Sequence, residues 1–259
     1  MKRRPRLGQH FLTDASVIQQ IVTTTAPGAG EHFVEIGPGR GALTGPLLSR
    51  GAIVHAVEID PALAQGLRES FPHERLSVHL ADALEFDYSA LEDIGVPDAR
   101  LRLIGNLPYY LSTALLFRLL ESAAGFRDMT VMLQREVAER LCAPPGSRRY
   151  GRLSVTAAAR CRAEPCFSVA PGAFEPPPKV HSMVVRLTPD SRYRIRRADA
   201  FERVVRQAFS QRRKTIANAL RGLADRDQIT AAGIDPAIRA EQIDVQAYLR
   251  LSEHLDQPA

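Results

Sequence analysis

Glu35-Ile36-Gly37-Pro38-Gly39-Arg40-Gly41 is the stretch on which the fold turns. The apolar run His32–Ile36 leads into it and the helix-forming stretch Ala42–Ser49 leaves it, so three glycines stand at a strand-to-helix turn. Glycines at 37, 39 and 41 let the chain turn tightly and let a ligand come close to the backbone. A dinucleotide fingerprint needs its third glycine three positions after the second, and here it comes after two. Outward from this point the same strand-then-helix texture repeats. Strands are expected at His32–Ile36, Ile53–Glu58, Leu76–Leu80, Leu101–Ile104, Met129–Leu133 and Met183–Leu187. Helices are expected at Ser16–Thr24, Ala42–Ser49, Pro61–Ser70, Thr113–Ser122, Arg135–Cys142 and Leu153–Cys161. Such alternation predicts an α/β layer structure with a parallel sheet. Beyond Thr188-Pro189-Asp190 strand-like runs stop, and Phe201, Val204, Val205, Ala208 and Phe209 fall at helical spacing. The expected division is an α/β domain over 1–190 and a small all-helical domain over 191–259.

Chemistry concentrates where the expected strands end. Glu58 closes the second strand, twenty-one residues after Gly37, where a carboxylate can take both hydroxyls of a ribose. Asp82 closes the third, placed to accept from the amino group of an adenine. Asn106-Leu107-Pro108-Tyr109 closes the fourth. The Asn106 amide oxygen and the Leu107 carbonyl can accept the two hydrogens of an exocyclic amine, and Tyr109 can stack on a flat ring. Pro108 fixes φ at about −65° and removes an N–H that would compete. This is apparatus for methylating an adenine amino nitrogen. Each piece also has a plainer reading. A glycine-rich turn is usually only a turn, strand-end acids often cap the next helix, as Asp60-Pro61 suggests, and the tetrapeptide is a turn sequence. Their convergence on the crevice beyond the carboxyl ends of one sheet, where ligands bind in open α/β folds, favours a ligand site.

Composition narrows the class. With 45% hydrophobic and 24% charged residues the chain can bury a real core, while the absence of Trp and 6% aromatics weigh against a carbohydrate-binding or membrane-belt protein. No apolar stretch approaches the roughly 18 residues of a transmembrane helix. The basic start Met1-Lys2-Arg3-Arg4-Pro5-Arg6 has no apolar signal-peptide core behind it, so a cytoplasmic protein with no membrane partner is expected. Cys142, Cys161 and Cys166 have no Cys-x-x-Cys spacing, which predicts reduced thiols and neither a disulfide framework nor a metal site. Charge is segregated. Residues 7–134 net −7, whereas 135–162 net +5 and 192–221 net +8. An acidic body with basic segments suits a chain that grips a polyanion, the plain alternative being arginines on solvated faces.

Glycine alternation after an acidic strand residue resembles motif I of S-adenosylmethionine-dependent methyltransferases. The resemblance then extends to one family within them, the rRNA adenine N6-dimethyltransferases. It is carried by Gly8-Gln9-His10-Phe11-Leu12, Glu35-Ile36-Gly37-Pro38-Gly39, Asn106-Leu107-Pro108-Tyr109 and Leu133-Gln134-Arg135-Glu136-Val137-Ala138. Tyr150-Gly151-Arg152-Leu153-Ser154, Phe174-Glu175-Pro176-Pro177-Pro178-Lys179-Val180 and Phe209-Ser210-Gln211-Arg212-Arg213-Lys214-Thr215 continue it, so it spans residues 6 to 255, essentially the whole chain. The bacterial small-subunit branch is the nearest part of that family. The Asp235-Pro236-Ala237-Ile238-Arg239-Ala240-Glu241 segment also resembles that branch.

The resemblance implies a Rossmann-like methyltransferase domain with a mostly parallel seven-stranded sheet, followed by a small helical rRNA-binding domain. It implies S-adenosylmethionine as cofactor, without a metal, touching His10, Leu12, Gly37, Gly39, Glu58, Asp82 and Asn106. The substrate it implies is 16S rRNA in the immature small ribosomal subunit, dimethylated at two adjacent adenosines of the 3′-terminal hairpin loop by a monomer. Asn106, Leu107, Pro108 and Tyr109 would form the catalytic pocket, with Phe174, held by the stiff proline run, as a second aromatic face. Arg212, Arg213 and Lys214 would hold rRNA phosphates, with Arg135, Arg148, Arg149 and Arg152 as partners. The chain departs from the family at His10 and Tyr110, where Asn is usual. A macrolide-resistance methyltransferase of large-subunit rRNA and a non-catalytic assembly or transcription factor are the rival expectations. A DNA adenine methyltransferase fits less well, because Leu107 stands where those enzymes generally carry Pro.

Overall fold

The computed structural model describes residues 9–91 and 101–255. The basic run at 2–6, Gly8 of the first family-like motif and the C-terminal Gln257-Pro258-Ala259, which the sequence expects to fray, lie outside them. The backbone divides into two compact units. One runs to Ala138 and resumes over Glu164–Pro189; the other takes Glu139–Ala163 and the chain from Asp190 onward.

The first unit is built from β1 (Phe11–Leu12), α1 (Ala15–Thr25), β2 (His32–Ile36), α2 (Thr44–Ser49), β3 (Ile53–Glu58), α3 (Pro61–Ser70) and β4 (Leu76–Leu80). It continues through β5 (Leu101–Asn106), α4 (Ser112–Glu121), β6 (Phe126–Gln134) and α5 (Arg135–Leu141), whose end crosses into the second unit. The chain returns to it through β7 (Cys161–Val169), β8 (Phe174–Glu175) and β9 (Ser182–Pro189) after α6 (Arg152–Ala158). Seven strands form one sheet in the order β4-β3-β2-β5-β6-β9-β7, and β1 pairs with β8 apart from it. Neighbours from β4 to β6 are parallel and β9 runs antiparallel to β6. All five residues of β2 are buried, as expected of a central parallel strand covered on both faces. Asp14 and Asp60 cap α1 and α3 by accepting from the first free N–H groups, and Pro61 occupies the first turn of α3.

Most element ends fall within three residues of the sequence expectation, and two departures change how the chain is organised. The helix expected to reach Cys161 ends at Ala158, and Cys161 opens β7, a strand the sequence reading does not contain. Most of β7 between its ends is exposed or half-buried, and Pro165 interrupts it, which only an edge strand tolerates. Segment 139–163 belongs with the helical unit rather than with the α/β domain to which the division at 190 assigned it. Its Tyr150, Val155 and Ala159 share one apolar core with Phe201, Val204 and Val205 of α7 (Ala198–Ser210). The same core takes Ile216 and Leu220 from and after α8 (Ile216–Ala219), Ile229 of α9 (Arg226–Ala231), and Tyr248 and Leu251 of α10 (Val245–His254).

A buried arginine ties the sheet to α1. Arg102, on β5, is 4% exposed and donates through Nε and Nη2 to both oxygens of Asp128 on β6, each at 2.8 Å. Its Nη1 reaches Glu31 Oε2 at 2.7 Å, and its two terminal nitrogens donate to the Thr25 and Ala26 carbonyls at 2.6 and 3.3 Å. Those carbonyls end α1, where a cation complements the helix dipole. Replacing Arg102 by Leu leaves Asp128 and Glu31 without their buried partner and should lower unfolding free energy by about 3–5 kcal/mol. Urea unfolding of the two proteins measures it, and a loss of less than about 1 kcal/mol would show the clamp to be dispensable.

Candidate active site

The turn after β2 is shaped by its glycines. Gly37 and Gly39 have φ of +63° and +56°, a region side chains rarely adopt, and a Cβ on Gly39 would stand 3.1 Å from the Phe11 ring. Gly37 N donates to the Val57 carbonyl at 3.0 Å, which pins the turn against β3. Beside it, Glu58 is held at both oxygens: Gly39 N donates to Oε2 at 3.2 Å and Asp60 N to Oε1 at 2.9 Å. Each oxygen keeps a lone pair, so the carboxylate can still accept from two hydroxyls. Burial pushes the Glu58 carboxyl up, against the opposing pull of the backbone N–H groups of Asp60, Gly39 and Ile59.

Glu35 lies deeper, 2% exposed, and accepts from Thr44 Oγ1 at 2.6 Å. Burial pushes its carboxyl up to about 7; the Thr44 hydrogen bond opposes the rise and the Glu58 charge adds to it. Asp82 accepts Leu84 N at 2.9 Å, so it both caps a turn and lines the crevice.

At the end of β5, Asn106 Nδ2 donates to the His10 carbonyl at 3.0 Å. A carbonyl only accepts, so this contact fixes which end of the amide is nitrogen and leaves Oδ1 as the free acceptor. Leu107 N donates to Met132 O at 3.1 Å, and the Pro108 and Tyr109 carbonyls accept from Leu111 N and Ser112 Oγ. The Leu107 carbonyl accepts none of the turn's hydrogen bonds. Tyr109 Oη meets Ser182 Oγ at 2.5 Å, and its ring faces that of His10 with centroids 5.5 Å apart. His10 Nδ1 lies 2.6 Å from the Pro176 carbonyl, so Nδ1 is the protonated nitrogen. A neutral His10 therefore offers Nε2 as an acceptor, and only the imidazolium donates from it.

One crevice gathers ten of the residues expected from the sequence: His10, Leu12, Gly37, Gly39, Glu58, Asp82, Asn106, Leu107, Pro108 and Tyr109. Phe174 is not among them. Its ring is 4% exposed in the apolar core, because β8 pairs with β1 and sets Phe174 opposite Leu12. The expected second aromatic face is thus a buried anchor in this structure. Sequence reasoning passed over Glu35, Phe11 and Arg40 as crevice residues. The acidic residue before the glycines was the available sign of the first. Arg40 stacks on Phe11 with its guanidinium carbon 4.5 Å from the ring centroid and pairs with Glu175 at 3.7 Å. The crevice suits an S-adenosyl group on the chemistry of its donors: a glycine turn for close approach, a doubly anchored carboxylate for a ribose and Asp82 for an adenine amine. Among the described residues no group of three or more His, Cys, Asp or Glu is placed to hold a metal ion, and no helix is long and apolar enough to cross a membrane.

The expected RNA-binding residues separate into two kinds. In the helical unit Arg212 Nε donates to Glu241 at 2.6 Å and also bonds the Arg148 carbonyl. Arg149 pairs with Glu139, and Arg152 with Glu202 at 3.6 Å. Arg213 and Lys214 are exposed, and no ion pair among the described residues involves them. Arg135 and Arg148 are exposed as well.

Comparison with known proteins places these features in a family. The family model for ribosomal RNA adenine dimethylase matches residues 1–257. The ribosomal RNA small subunit methyltransferase A of Pseudomonas putida is 48% identical over 257 residues, 98% of this chain and 95% of its own. Its namesake from Thiobacillus denitrificans is also 48% identical, over 97% of each. Among solved structures, a dimethyladenosine transferase from Plasmodium falciparum superposes with a TM-score of 0.77, covering 93% of this chain and 96% of that one at 24% identity. The 23S rRNA methyltransferase ErmE does so with a TM-score of 0.70, covering 95% and 100% at 29% identity. The fold is the Rossmann-like one of S-adenosylmethionine-dependent methyltransferases.

The buried Glu35 gives a pH test. Its folded-state value of about 7 exceeds the ordinary 4.5, so its contribution to stability is present below about pH 4.5 and is lost as pH rises through 7. Glu35→Gln keeps an acceptor for Thr44 and cannot ionise. Its melting temperature relative to the parent should therefore rise between pH 5 and 8, and a pH-independent difference would contradict the assignment.

Proposed function

The chain belongs to the ribosomal RNA adenine dimethylase family, and on that premise we propose a substrate and a mechanism. It is an S-adenosylmethionine-dependent rRNA adenine N6-dimethyltransferase. Its substrate is 16S rRNA in the immature small ribosomal subunit, at two adjacent adenosines of the 3′-terminal hairpin loop. Near-full-length identity of 48% to proteins named for the small subunit supports this over the large-subunit reading, for which the likeness is 29%. The chain works as a monomer in the cytoplasm, where the small subunit matures.

The observation that carries the mechanism is the hydrogen bond from Asn106 Nδ2 to the His10 carbonyl. An adenine amino nitrogen is a poor nucleophile because its lone pair is conjugated with the ring. With Asn106 Oδ1 accepting one of its hydrogens and the Leu107 carbonyl the other, the nitrogen is drawn toward tetrahedral geometry and its lone pair turns out of the ring plane. S-adenosylmethionine, when bound, supplies an electrophilic methyl group. Glu58, Asp82 and the Gly37–Gly39 turn hold it by the ribose, the adenine and the backbone, and so set the line of displacement. Positioning of this kind accounts for most of the acceleration. No strong base is needed, because the attacked nitrogen becomes acidic only after methylation. The target base leaves its stack to reach the pocket, and the Tyr109 ring replaces part of the lost stacking. For the second transfer the monomethylated amine rotates and presents its lone pair again. In the helical unit Arg213 and Lys214, which no ion pair among the described residues involves, hold rRNA phosphates, with Arg148, Arg149, Arg152 and Arg212 of the same unit as partners; Arg135, in the first unit, is a further phosphate contact.

Asn106→Ala should reduce methyl transfer by about 100-fold or more while S-adenosylhomocysteine binds within about twofold of the parent. Labelled S-adenosylmethionine with unmethylated small subunits and nucleoside mapping reads this. Undiminished turnover would remove Asn106 from the reaction, label in 23S rRNA would favour the large-subunit rival, and N6-methyladenosine alone would reject dimethylation. Changing Arg213 and Lys214 together to Glu should lower the slope of log affinity against log salt by about 2, one per phosphate contact. An unchanged slope in filter-binding titrations would return both residues to the solvated surface.

A further inference from the structure

Tyr109 and Tyr110 occupy the corner of one turn, closed by Leu111 N donating to the Pro108 carbonyl at 3.0 Å. Both line the crevice, but the two side chains are held differently. Tyr109 is bonded to Ser182 on β9, two strands from β5 on one side. Tyr110 shares the crevice with Glu58 and Asp82, at and beyond the ends of β3 and β4, two and three strands away on the other side. The Tyr110 side chain is 55% exposed, against the half-buried ring of Tyr109. Its phenol is raised first by partial burial and then by the charges of Asp82 and Glu58, which keeps the hydroxyl protonated and a donor. A large exposed aromatic ring that lines the crevice with the two carboxylates, and that no ring contact among the described residues involves, is a stacking face open to a ligand.

We propose that Tyr110 is a lid residue for the cofactor, its ring packing on the adenosine portion that Glu58 and Asp82 hold. This inference rests on the reading of those two carboxylates as the adenosine site. It assigns the neighbouring tyrosines to different ligands, Tyr109 to the target base and Tyr110 to the cofactor. Loss of one aromatic stacking face on a base corresponds to roughly a 5- to 100-fold weakening of binding.

The chain contains no Trp, so Tyr110→Trp installs a single tryptophan at the lid. Its emission should change saturably with S-adenosylhomocysteine in the absence of RNA and remain unchanged with an rRNA hairpin fragment alone. Tyr110→Ala should weaken S-adenosylhomocysteine binding by about 5- to 100-fold, Tyr110→Phe by less than about threefold, with the KM for small subunits unaltered in both. Glu58→Ala serves as the reference for the adenosine site. If Glu58→Ala loses binding while Tyr110→Ala keeps parental affinity, the lid is overturned and the cofactor site stands. If both keep parental affinity, the adenosine site itself is misplaced. Tryptophan emission that answers RNA but not S-adenosylhomocysteine puts the ring on the target side and overturns the proposal.

Discussion

Parallel register is the constraint from which the rest of the site follows. Ile36 on β2 is level with Val57 on β3 and with Gly105 on β5, so the next residue on each strand, Gly37, Glu58 and Asn106, emerges at one edge. Glu58 is in turn level with Leu80 on β4, two residues before Asp82. Four groups separated by up to sixty-nine positions in sequence thus meet through backbone hydrogen bonds alone. A slip of one residue in any of these pairings would turn its side chains to the other face and dissolve the set. The Gly37 N–H to Val57 carbonyl bond extends the ladder by one step beyond the strands and joins the glycine turn to the strand that carries Glu58.

That edge is rich in carboxylates. Glu58, Asp82 and the deeper Glu35 all line the crevice, each ordinarily anionic. The structure limits the resulting repulsion by two different means. At Glu58 three backbone N–H groups oppose the upward push of burial, whereas Glu35 lies deeper, with the Thr44 hydroxyl and backbone N–H as its donors, and holds its proton up to about pH 7. Two neighbouring acids thereby acquire different roles from their surroundings, one available to a ligand and one packed beneath the turn.

The site was legible in the sequence to the extent that it is made of strand ends. Gly37, Glu58, Asp82 and Asn106 each stand where an apolar run stops, and period and composition suffice to find such places. What escaped depends on pairing between distant segments. Phe174 looked like an exposed ring before a stiff proline run, yet strand pairing with Phe11–Leu12 turns it into the core. The proton position on His10 follows from Pro176, which is 166 residues away. β7 escaped because it is an edge strand with a proline and few buried positions, so neither periodicity nor apolar content marked it. The membership of segment 139–163 in the helical unit is decided by Tyr150, Val155 and Ala159 meeting α7, which local texture does not encode.

Charge shows the same division between what is counted and what is available. The sequence offers Arg212, Arg213 and Lys214 as one basic run, and by composition the three are equivalent. In the folded unit Arg212, though exposed, is committed to Glu241 and to the Arg148 carbonyl, where it braces the loop that presents Arg148. A guanidinium bonded to a carboxylate of its own chain adds little net field for a polyanion, since the pair is close to neutral from a distance. Arg213 and Lys214 keep their full charge toward solvent beside it. The basic run therefore combines a structural arginine with two cations available to phosphate. Substitution within it separates these roles: loss of Arg212 acts on the loop, whereas loss of the other two acts on the counterions that a nucleic acid releases when it binds.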